Sequence, residues 1–299
     1  MLEQDRIYEK VYREGAAHLA AAGIAESDLD ARLLLEFVCG TDRNTLLAHG
    51  DRAVSEAEYA QYGSLIAKRA AHVPLQHLTG EQEFMGLTFL VNQDVLVPRQ
   101  DTEVLVEEVM RNLHDGMRIL DMCTGSGCIL LSLLYYSNDC TGVGVDLSSR
   151  ALAMAGKNYE RLRRERPGME AVFLEGDLFE ALAREPGGSL RAESADVKFE
   201  IMVSNPPYIE TAVIPTLMPE VCEHEPMAAL DGGADGLIFY RRIAGKAGDF
   251  LNGGGMLFFE IGCGQAEQVR KIMEQAGFRE IEVVKDFAGL DRVVYGSWR

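Results

Sequence analysis

Hydrophobic side chains in the first quarter of the chain recur at helical spacing. Apolar residues fall on one side of a helix over residues 29–38, and Gly40 then supplies a stop signal. Residues 56–69 repeat this pattern, and the strict alternation of apolar and polar residues that marks a strand is absent from this part of the chain. The pattern predicts that residues 1–73 form a small helical bundle.

The pattern changes at Pro74. Between residues 84 and 97, two apolar runs flank the sequence Asn-Gln-Asp at 92–94, which is typical of a β-hairpin. Pro98 should end the extended stretch, because proline fixes φ and offers no backbone N–H. We therefore predict that residues 74–98 form a β-hairpin linker that follows the helical bundle.

From residue 99 onward, short apolar runs alternate with amphipathic stretches, which predicts a largely parallel sheet with helices on both faces. Strands are expected at residues 119–122, 141–146, 172–174, 201–203 and 256–261, and helices at 102–113, 129–134, 149–163 and 237–251. The last two expected strands, 281–284 and 292–295, leave little room for a helix between them, so they should pair antiparallel. Residues 99–299 are thus predicted to form an α/β domain.

Length, composition and charge narrow the possible functions. The chain has 299 residues, which suits about two domains. Its 47% hydrophobic and 25% charged residues are typical of a globular protein that stays in solution. The formal net charge of -18 would repel phosphate groups, so we expect no direct contact with nucleic acid and favour a protein partner.

The cysteines and the N-terminal residues indicate the compartment. The 6 cysteines form no Cys-x-x-Cys pair, so no metal site is expected. The N-terminus carries charges, and no apolar run is long enough to cross a bilayer. We expect a cytoplasmic protein with reduced cysteines and no membrane association. The sequence does not reveal the oligomeric state, and a monomer is the working expectation.

A glycine-containing loop follows the first predicted strand of the α/β region. Residues 121–127 read Asp-Met-Cys-Thr-Gly-Ser-Gly, and Gly125 and Gly127 allow the backbone to turn tightly and approach a ligand at the edge of an open sheet. Asp146 ends the next predicted strand, where its carboxylate can accept hydrogen bonds from two ribose hydroxyls. The combination indicates a nucleoside-type ligand.

Two further positions refine the ligand. A dinucleotide-binding fingerprint would need a third glycine at position 130, where this chain has Leu130, so a pyrophosphate site is disfavoured. Asp177 and Leu178 follow the third predicted strand, where a carboxylate with apolar neighbours could meet an adenine ring. These residues together predict a ligand with one nucleoside and no phosphate.

The sequence Asn-Pro-Pro-Tyr at 205–208 follows the fourth predicted strand, at the same edge of the sheet as the glycine-containing loop. An amide nitrogen is a poor nucleophile, because its lone pair is delocalised into the carbonyl group. The side-chain oxygen of Asn205 and the backbone carbonyl of Pro206 can accept its two N–H groups. Pro207 helps to keep that carbonyl rigid, and Tyr208 offers a flat face to a planar amide. Positioning against an electrophilic methyl group would then supply most of the catalysis.

The chain resembles the HemK/PrmC family of release factor glutamine N5-methyltransferases. The resemblance rests on the Asn-Pro-Pro-Tyr motif and on three longer segments, which extend it over almost the whole chain. These segments are residues 74–103, 225–237 and 285–292. They are more specific than the tetrapeptide, which DNA adenine methyltransferases share.

The resemblance implies a Rossmann-like class I methyltransferase fold with a seven-stranded sheet that depends on S-adenosylmethionine and releases S-adenosylhomocysteine. It also implies that the helical N-terminal domain helps to hold the protein substrate, a peptide chain release factor. The residues expected to contact the cofactor are Cys123, Thr124, Gly125, Ser126, Gly127, Asp146, Asp177, Leu178 and Asn205. Those expected to contact the glutamine are Asn205, Pro206, Pro207 and Tyr208, with catalysis by Asn205, Pro206 and Tyr208.

The chain departs from the family pattern at two positions. Cys123 stands where many relatives have glycine, which matters little provided that φ is negative there. Leu178 stands where some relatives carry an aromatic residue, which would weaken the contact with adenine.

Three alternatives stay open. A glutamine methyltransferase acting on a ribosomal protein would use the same residues. A DNA methyltransferase acting on adenine N6 or cytosine N4 would need a basic groove, for which the acidic chain gives no support. A non-enzymatic binding module would use the helical region alone, and the intact motif at 205–208 disfavours it.

Overall fold

The computed structural model describes residues 6–183 and 198–299. The described residues divide into two compact units. The first comprises the residues up to Glu81 together with Met218–His224, and the second contains the others. None of the helices in these ranges is long and apolar enough to span a membrane.

The first unit is a helical bundle, as predicted. Its helices are α1 (Tyr8–Ala21), α2 (Ser27–Cys39), α3 (Arg43–Ala48), α4 (Glu56–Ala70) and α5 (Leu75–Thr79). Apolar side chains from α1, α2 and α4 form a core that includes Leu19, Leu34 and Ile66. Helix α4 begins with a reciprocal capping box between Ser55 and Glu58, which satisfies backbone donors at its first turn.

The segment Met218–His224 belongs to this bundle although it follows the Asn-Pro-Pro-Tyr motif in sequence. Buried Arg69 donates to Asp30 Oδ2 at 2.7 Å and to Glu220 Oε1 at 3.1 Å, and His72 Nδ1 lies 3.0 Å from the same Glu220 oxygen. Ion pairs between residues 148 and 151 positions apart cannot be read from sequence spacing, so the sequence does not predict that this segment joins the bundle.

The predicted hairpin is present, but its turn lies elsewhere. Strands β1 (Glu81–Phe84) and β2 (Leu87–Leu90) are joined by Met85 and Gly86, whereas residues 92–94 lie in a loop. Both turn residues have positive φ, 54° for Met85 and 70° for Gly86. A two-residue hairpin turn needs such angles, because its twist must match the right-handed twist of the two strands. Methionine rarely adopts this conformation, so the turn carried no recognisable sequence signal.

The second unit contains a seven-stranded sheet in the order β5-β4-β3-β6-β7-β9-β8. Its strands are β3 (Arg118–Met122), β4 (Thr141–Asp146), β5 (Glu170–Glu175), β6 (Phe199–Ser204), β7 (Leu251–Glu260), β8 (Arg279–Lys285) and β9 (Asp291–Ser297). β3 to β7 pair in parallel, and β9 pairs antiparallel with both β7 and β8. The predicted α/β fold with an antiparallel last strand is therefore confirmed.

Apolar side chains cover both faces of this sheet. Neighbouring residues of one strand, such as Ile119 and Leu120, contribute to two different apolar clusters because side chains alternate along a strand. The surrounding helices are α6 (Asp101–Asn112), α7 (Cys128–Tyr136), α8 (Ser149–Glu165), α9 (Glu180–Ala183), α11 (Met227–Leu230), α12 (Ile238–Ala247) and α13 (Ala266–Ala276), while α10 (Pro219–Cys222) lies in the first unit. Helix α12 ends earlier than the predicted 251, since Leu251 already begins β7.

Candidate active site

Three adjacent strands of the sheet, β4, β3 and β6, end beside one another and point their carboxyl ends at a cavity of about 560 Å³. That volume is in the range of small-molecule sites in proteins. The predicted site residues that line this cavity are Cys123, Thr124, Gly125, Ser126, Asp146, Asp177, Leu178, Asn205 and Pro207. The sheet therefore brings most of the predicted residues to one place, as expected for the carboxyl edge of an open parallel sheet.

The remaining predicted residues lie just outside the cavity lining. Gly127 caps the N-terminus of α7 with a φ of 79°, and a Cβ atom added there would lie 3.1 Å from Leu131 Cδ1 and 3.2 Å from Ala155 Cβ. Pro206 is buried, and Tyr208 is half-buried against one of the apolar clusters of the sheet. Their predicted contacts with cofactor or substrate stay predictions.

The loop between β3 and α7 is held by side-chain hydrogen bonds. The Thr124 hydroxyl donates to Asp121 Oδ2 at 2.6 Å, and the buried Asn158 amide donates to the Ser126 carbonyl at 2.9 Å. Burial raises the pKa of Asp121 to about 7, and the Thr124 hydroxyl opposes that rise. These hydrogen bonds hold the loop backbone in place.

Cys123 adopts a left-handed backbone conformation with a φ of 63°. A cysteine in place of glycine would matter little only if φ were negative, so this condition is not met. Burial raises the pKa of its thiol, so the group stays protonated and is unsuited to act as a nucleophile. Leu178, the second departure from the family pattern, also has a positive φ, 52°, and is buried in the core beside the cavity.

We expect Cys123→Gly to be more stable than Cys123→Ala by about 0.5–1 kcal/mol. Both variants lose the thiol, but only glycine relieves the left-handed strain of about 1–2 kcal/mol, which exceeds the entropic cost of glycine in the unfolded chain. Thermal unfolding of the two variants measures the difference. Cys128, the first residue of α7, is the matched control. At this helical position the order should reverse, and Cys128→Ala should be more stable than Cys128→Gly. Equal stability of the Cys123 pair would show that the site is not strained.

Asp146 has the geometry expected of a ribose-binding carboxylate. Its Oδ2 accepts the Gly125 N–H and its Oδ1 accepts the Ser148 N–H, both at 2.9 Å. A carboxylate offers about four acceptor positions, so two remain for hydroxyl groups of a ligand. Burial raises the pKa of this carboxyl group, and the backbone N–H groups of Ser148, Gly125 and Leu147 counteract that rise.

Asp177 lies on the cavity wall but is already paired. Its carboxylate accepts from Arg242 at 2.8 Å, and both side chains are substantially exposed. An exposed ion pair of this kind is weak and can rearrange when a ligand binds.

Residues 205–208 continue from β6 along the cavity. The Asn205 Nδ2 group donates to Thr102 Oγ1 at 3.4 Å, and among the described residues no donor bonds to the side-chain oxygen. Gln265 Nε2 donates to the Tyr208 carbonyl oxygen at 3.0 Å, and this hydrogen bond holds the Tyr208 backbone in place. Its hydroxyl donates to Glu260 Oε1 at 3.5 Å.

Sequence reasoning missed Thr102, Glu260 and Gln265. Thr102 lies at the start of α6 and lines the cavity, and Gln265 holds the Tyr208 backbone. The sequence did contain a signal for Glu260, because this carboxylate directly follows the apolar sequence Met-Leu-Phe-Phe. Burying a carboxylate is costly, so its position at the end of a buried strand indicates a role. Across residues 6–183 and 198–299, no group of three or more His, Cys, Asp or Glu side chains is placed to hold a metal ion.

Comparison with known proteins found two family models and several relatives that match this chain. The family model of the PrmC N-terminal domain matches residues 10–80, and that of the methyltransferase small domain matches residues 99–234. A release factor glutamine methyltransferase from Geobacter sulfurreducens is 41% identical over 298 residues, which cover 99% of either chain. Another from Clostridium acetobutylicum is 41% identical over 268 residues, 89% of either chain.

A solved structure is also similar to this chain. It is a release factor-specific protein-(glutamine-N5) methyltransferase from Alicyclobacillus acidocaldarius, which is 30% identical and matches 71% of this chain and 99% of its own, with a TM-score of 0.40. The relatives at 41% identity are matched over most of their length. The chain therefore belongs to the release factor glutamine methyltransferase family.

Proposed function

We propose that this protein transfers a methyl group from S-adenosylmethionine to the side-chain N5 nitrogen of a glutamine, the one in the Gly-Gly-Gln loop of a peptide chain release factor. One observation carries the proposal: Asn205, whose side-chain oxygen accepts from no donor in the described part of the chain, lines the same cavity as Asp146. An amide-binding group thus lies beside a nucleoside-binding carboxylate. A substrate that acts in translation would place the enzyme in the cytoplasm.

The residues of the cavity fit S-adenosylmethionine. Asp146 keeps two acceptor positions for a ribose diol, and the loop of residues 123–127 approaches without bulky side chains. Leu178 offers an apolar contact for the adenine. When bound, the cofactor supplies an electrophilic methyl group and leaves as S-adenosylhomocysteine.

The residues at 205–208 would hold the nucleophile. Asn205 Oδ1 and the Pro206 carbonyl would accept the two amide hydrogens, which orients the nitrogen lone pair towards the methyl carbon. As the N–C bond forms, the C–S bond breaks and its electron pair stays on sulfur. The nitrogen loses one proton to solvent, and no dedicated base is needed because the nitrogen becomes acidic once it carries the methyl group.

Charge supports a protein substrate. The formal net charge of -18 favours encounter with a basic protein surface and disfavours DNA, which argues against the nucleic-acid alternative. Relatives at 41% identity carry the name release factor glutamine methyltransferase, which favours a release factor over a ribosomal protein.

The test offers purified enzyme and labelled S-adenosylmethionine to an unmodified release factor, to its Gly-Gly-Ala variant, and to ribosomal proteins. We expect label on the release factor alone, and mass mapping should place it on the loop glutamine. Equal labelling of the factor and its variant would refute the proposed site. Labelling confined to a ribosomal protein would identify the alternative substrate.

Gly236 provides a prediction about the support of the Asn-Pro-Pro-Tyr segment. A Cβ atom added at Gly236 would lie 2.4 Å from the Tyr208 carbonyl oxygen and 2.7 Å from Gln265 Nε2, and the glycine φ is 68°. Gly236→Ala should therefore displace Tyr208 and lower turnover about 10- to 100-fold, with cofactor affinity much less affected. Steady-state kinetics and calorimetry measure the two effects.

Gly245 supplies the matched control for that experiment. It lies in α12, and a Cβ atom added there meets nothing within 4 Å. Gly245→Ala should keep full turnover and gain stability of up to about 1 kcal/mol. If Gly236→Ala behaves in the same way, the backbone of Tyr208 does not need this support.

A further inference from the structure

In the described part of the chain, the cationic side chains that line the cavity are Arg99 and Arg150. The same lining contains the carboxylates of Asp94, Asp146 and Asp177, and the formal net charge of the chain is -18. These charges repel a negatively charged group in the cavity. S-adenosylmethionine carries such a group, the carboxylate of its methionine part. A cation at the right end of the cavity would offset the repulsion.

The two arginines differ in where they lie and in what they contact. Arg150 is 79% exposed in α8, and its Nε atom lies 3.3 Å from Asp94 Oδ1. Arg99 lies in the turn that leads into α6, where its carbonyl oxygen accepts the Thr102 N–H at 3.1 Å. Because Thr102 Oγ1 accepts from Asn205 Nδ2 at 3.4 Å, Arg99 belongs to the Asn205 end of the cavity.

A buried carboxylate holds the Arg99 guanidinium. Arg99 Nη2 donates to Glu225 Oε1 at 2.6 Å, and the Glu225 side chain is 1% exposed. This bond uses one of the five N–H groups of a guanidinium, and no acceptor within the described ranges bonds to the others. The Arg99 side chain is 46% exposed, so these N–H groups are open to a ligand. A planar guanidinium that is anchored on one side can bind a second carboxylate on another.

The proposed position of the cofactor brings its carboxylate to the same end of the cavity. The sulfonium sulfur bears three substituents: the methyl group, the adenosine and the methionine chain. With the ribose at Asp146 and the methyl group facing Asn205, the methionine chain is the substituent that leads away from the ribose. Its carboxylate is separated from the sulfur by a short carbon chain. Arg99 is the cation of the lining on that side.

We propose that Arg99, anchored by Glu225, binds the methionine carboxylate of S-adenosylmethionine. This role rests on the proposed function, in which S-adenosylmethionine is the methyl donor. Asp146 would recognise the adenosine part, which many ligands share. Arg99 would distinguish the cofactor from nucleosides that lack a carboxylate.

Decarboxylated S-adenosylmethionine isolates this contact, because it keeps the adenosine, the sulfonium and the amino group and lacks only the carboxylate. The wild-type protein should bind S-adenosylmethionine about 10- to 100-fold more tightly than the decarboxylated ligand, the scale of a charge-assisted hydrogen bond. In Arg99→Leu this ratio should fall to about threefold or less, because the side chain and the ligand group act on each other. Isothermal calorimetry measures the four affinities without any protein substrate.

Further variants separate the contact from its structural surroundings. Arg99→Leu leaves Glu225 buried without its cation, which lowers stability. The double variant Arg99→Leu with Glu225→Gln removes both charges and should show the same reduced ratio. Arg99→Lys keeps the charge without the planar fork, so its ratio should be intermediate. Arg150→Leu is the matched control, a cation of the same lining whose loss should leave the ratio at its wild-type value.

Three results would overturn the assignment. A wild-type ratio in the folded double variant would show that Arg99 only neutralises Glu225. Equal affinity of the wild-type protein for the two ligands would show that the carboxylate is not recognised. An unchanged ratio combined with a raised KM for the protein substrate would assign Arg99 to that substrate instead.

A failure of the proposed function would look different. If the methylated protein is not a release factor, the ratio of the two ligand affinities and its dependence on Arg99 remain as predicted. If the wild-type protein binds neither ligand, the proposed function fails, and the role of Arg99 fails with it.

Discussion

Asn205→Ala is expected to lower the rate of methyl transfer about 100- to 1000-fold in a protein that still folds, which is the scale for losing one preorganised polar group. The variant removes the acceptor oxygen proposed for the substrate amide and leaves one amide N–H unpaired in a desolvated site. It also leaves the Thr102 hydroxyl without the donor that now lies 3.4 Å away. Single-turnover kinetics with saturating cofactor measure the loss directly.

Two comparisons interpret that result. Asn205→Asp keeps an acceptor but adds charge, so its activity should lie between that of wild type and that of Asn205→Ala. Asn112, which donates to the Glu108 carbonyl within α6, is the matched control, and Asn112→Ala should leave the rate unchanged. Turnover of Asn205→Ala close to that of wild type would exclude the proposed amide-binding mechanism.

Asp146→Ala should weaken S-adenosylmethionine binding about 10- to 100-fold, which corresponds to charge-assisted hydrogen bonds worth roughly 1.5–3 kcal/mol. The variant removes the acceptor for the ribose hydroxyls and also frees the Gly125 and Ser148 N–H groups that now point at the carboxylate. Because burial raises the pKa of Asp146, affinity should decline with falling pH at a higher pH than for an ordinary aspartate. Isothermal calorimetry over a pH series measures both effects.

The control for Asp146 is a carboxylate that also accepts a backbone N–H but lies in the other unit. Asp42 accepts the Thr45 N–H at 2.7 Å at the start of α3. Asp42→Ala should lower stability by removing this N-cap and leave cofactor affinity unchanged. Unchanged affinity in a folded Asp146→Ala variant would remove this residue from the site.

Most elements could be predicted because their patterns are local. The strand predicted at 141–146 has the observed bounds of β4, and the helix predicted at 56–69 differs from α4 by one residue. Alternation of such elements almost dictates a parallel sheet, and the short gap between the last two strands dictates antiparallel pairing. The hairpin turn was misplaced, because Asn-Gln-Asp is a typical turn sequence whereas Met85-Gly86 is not.

The site was predictable to the extent that its residues end strands. Asp146 and Asn205 could be assigned to one cavity because parallel strands bring their carboxyl ends to the same edge. Chemistry at these positions follows from residue type: a carboxylate for hydroxyl groups and an amide oxygen for amide hydrogens.

The sequence by itself thus determined the α/β fold and placed the candidate residues Asp146 and Asn205 at one edge of the sheet, because hydrophobic periodicity and the residues that end strands are local features of the sequence. Tertiary structure alone decided the left-handed backbone at Cys123, the inclusion of Met218–His224 in the helical unit, and the contact of Glu260 with Tyr208. The physical reason is that a backbone angle, an ion pair and a buried hydrogen bond each depend on neighbours far apart in the chain. The spacing of residues along the sequence does not show which residues become those neighbours.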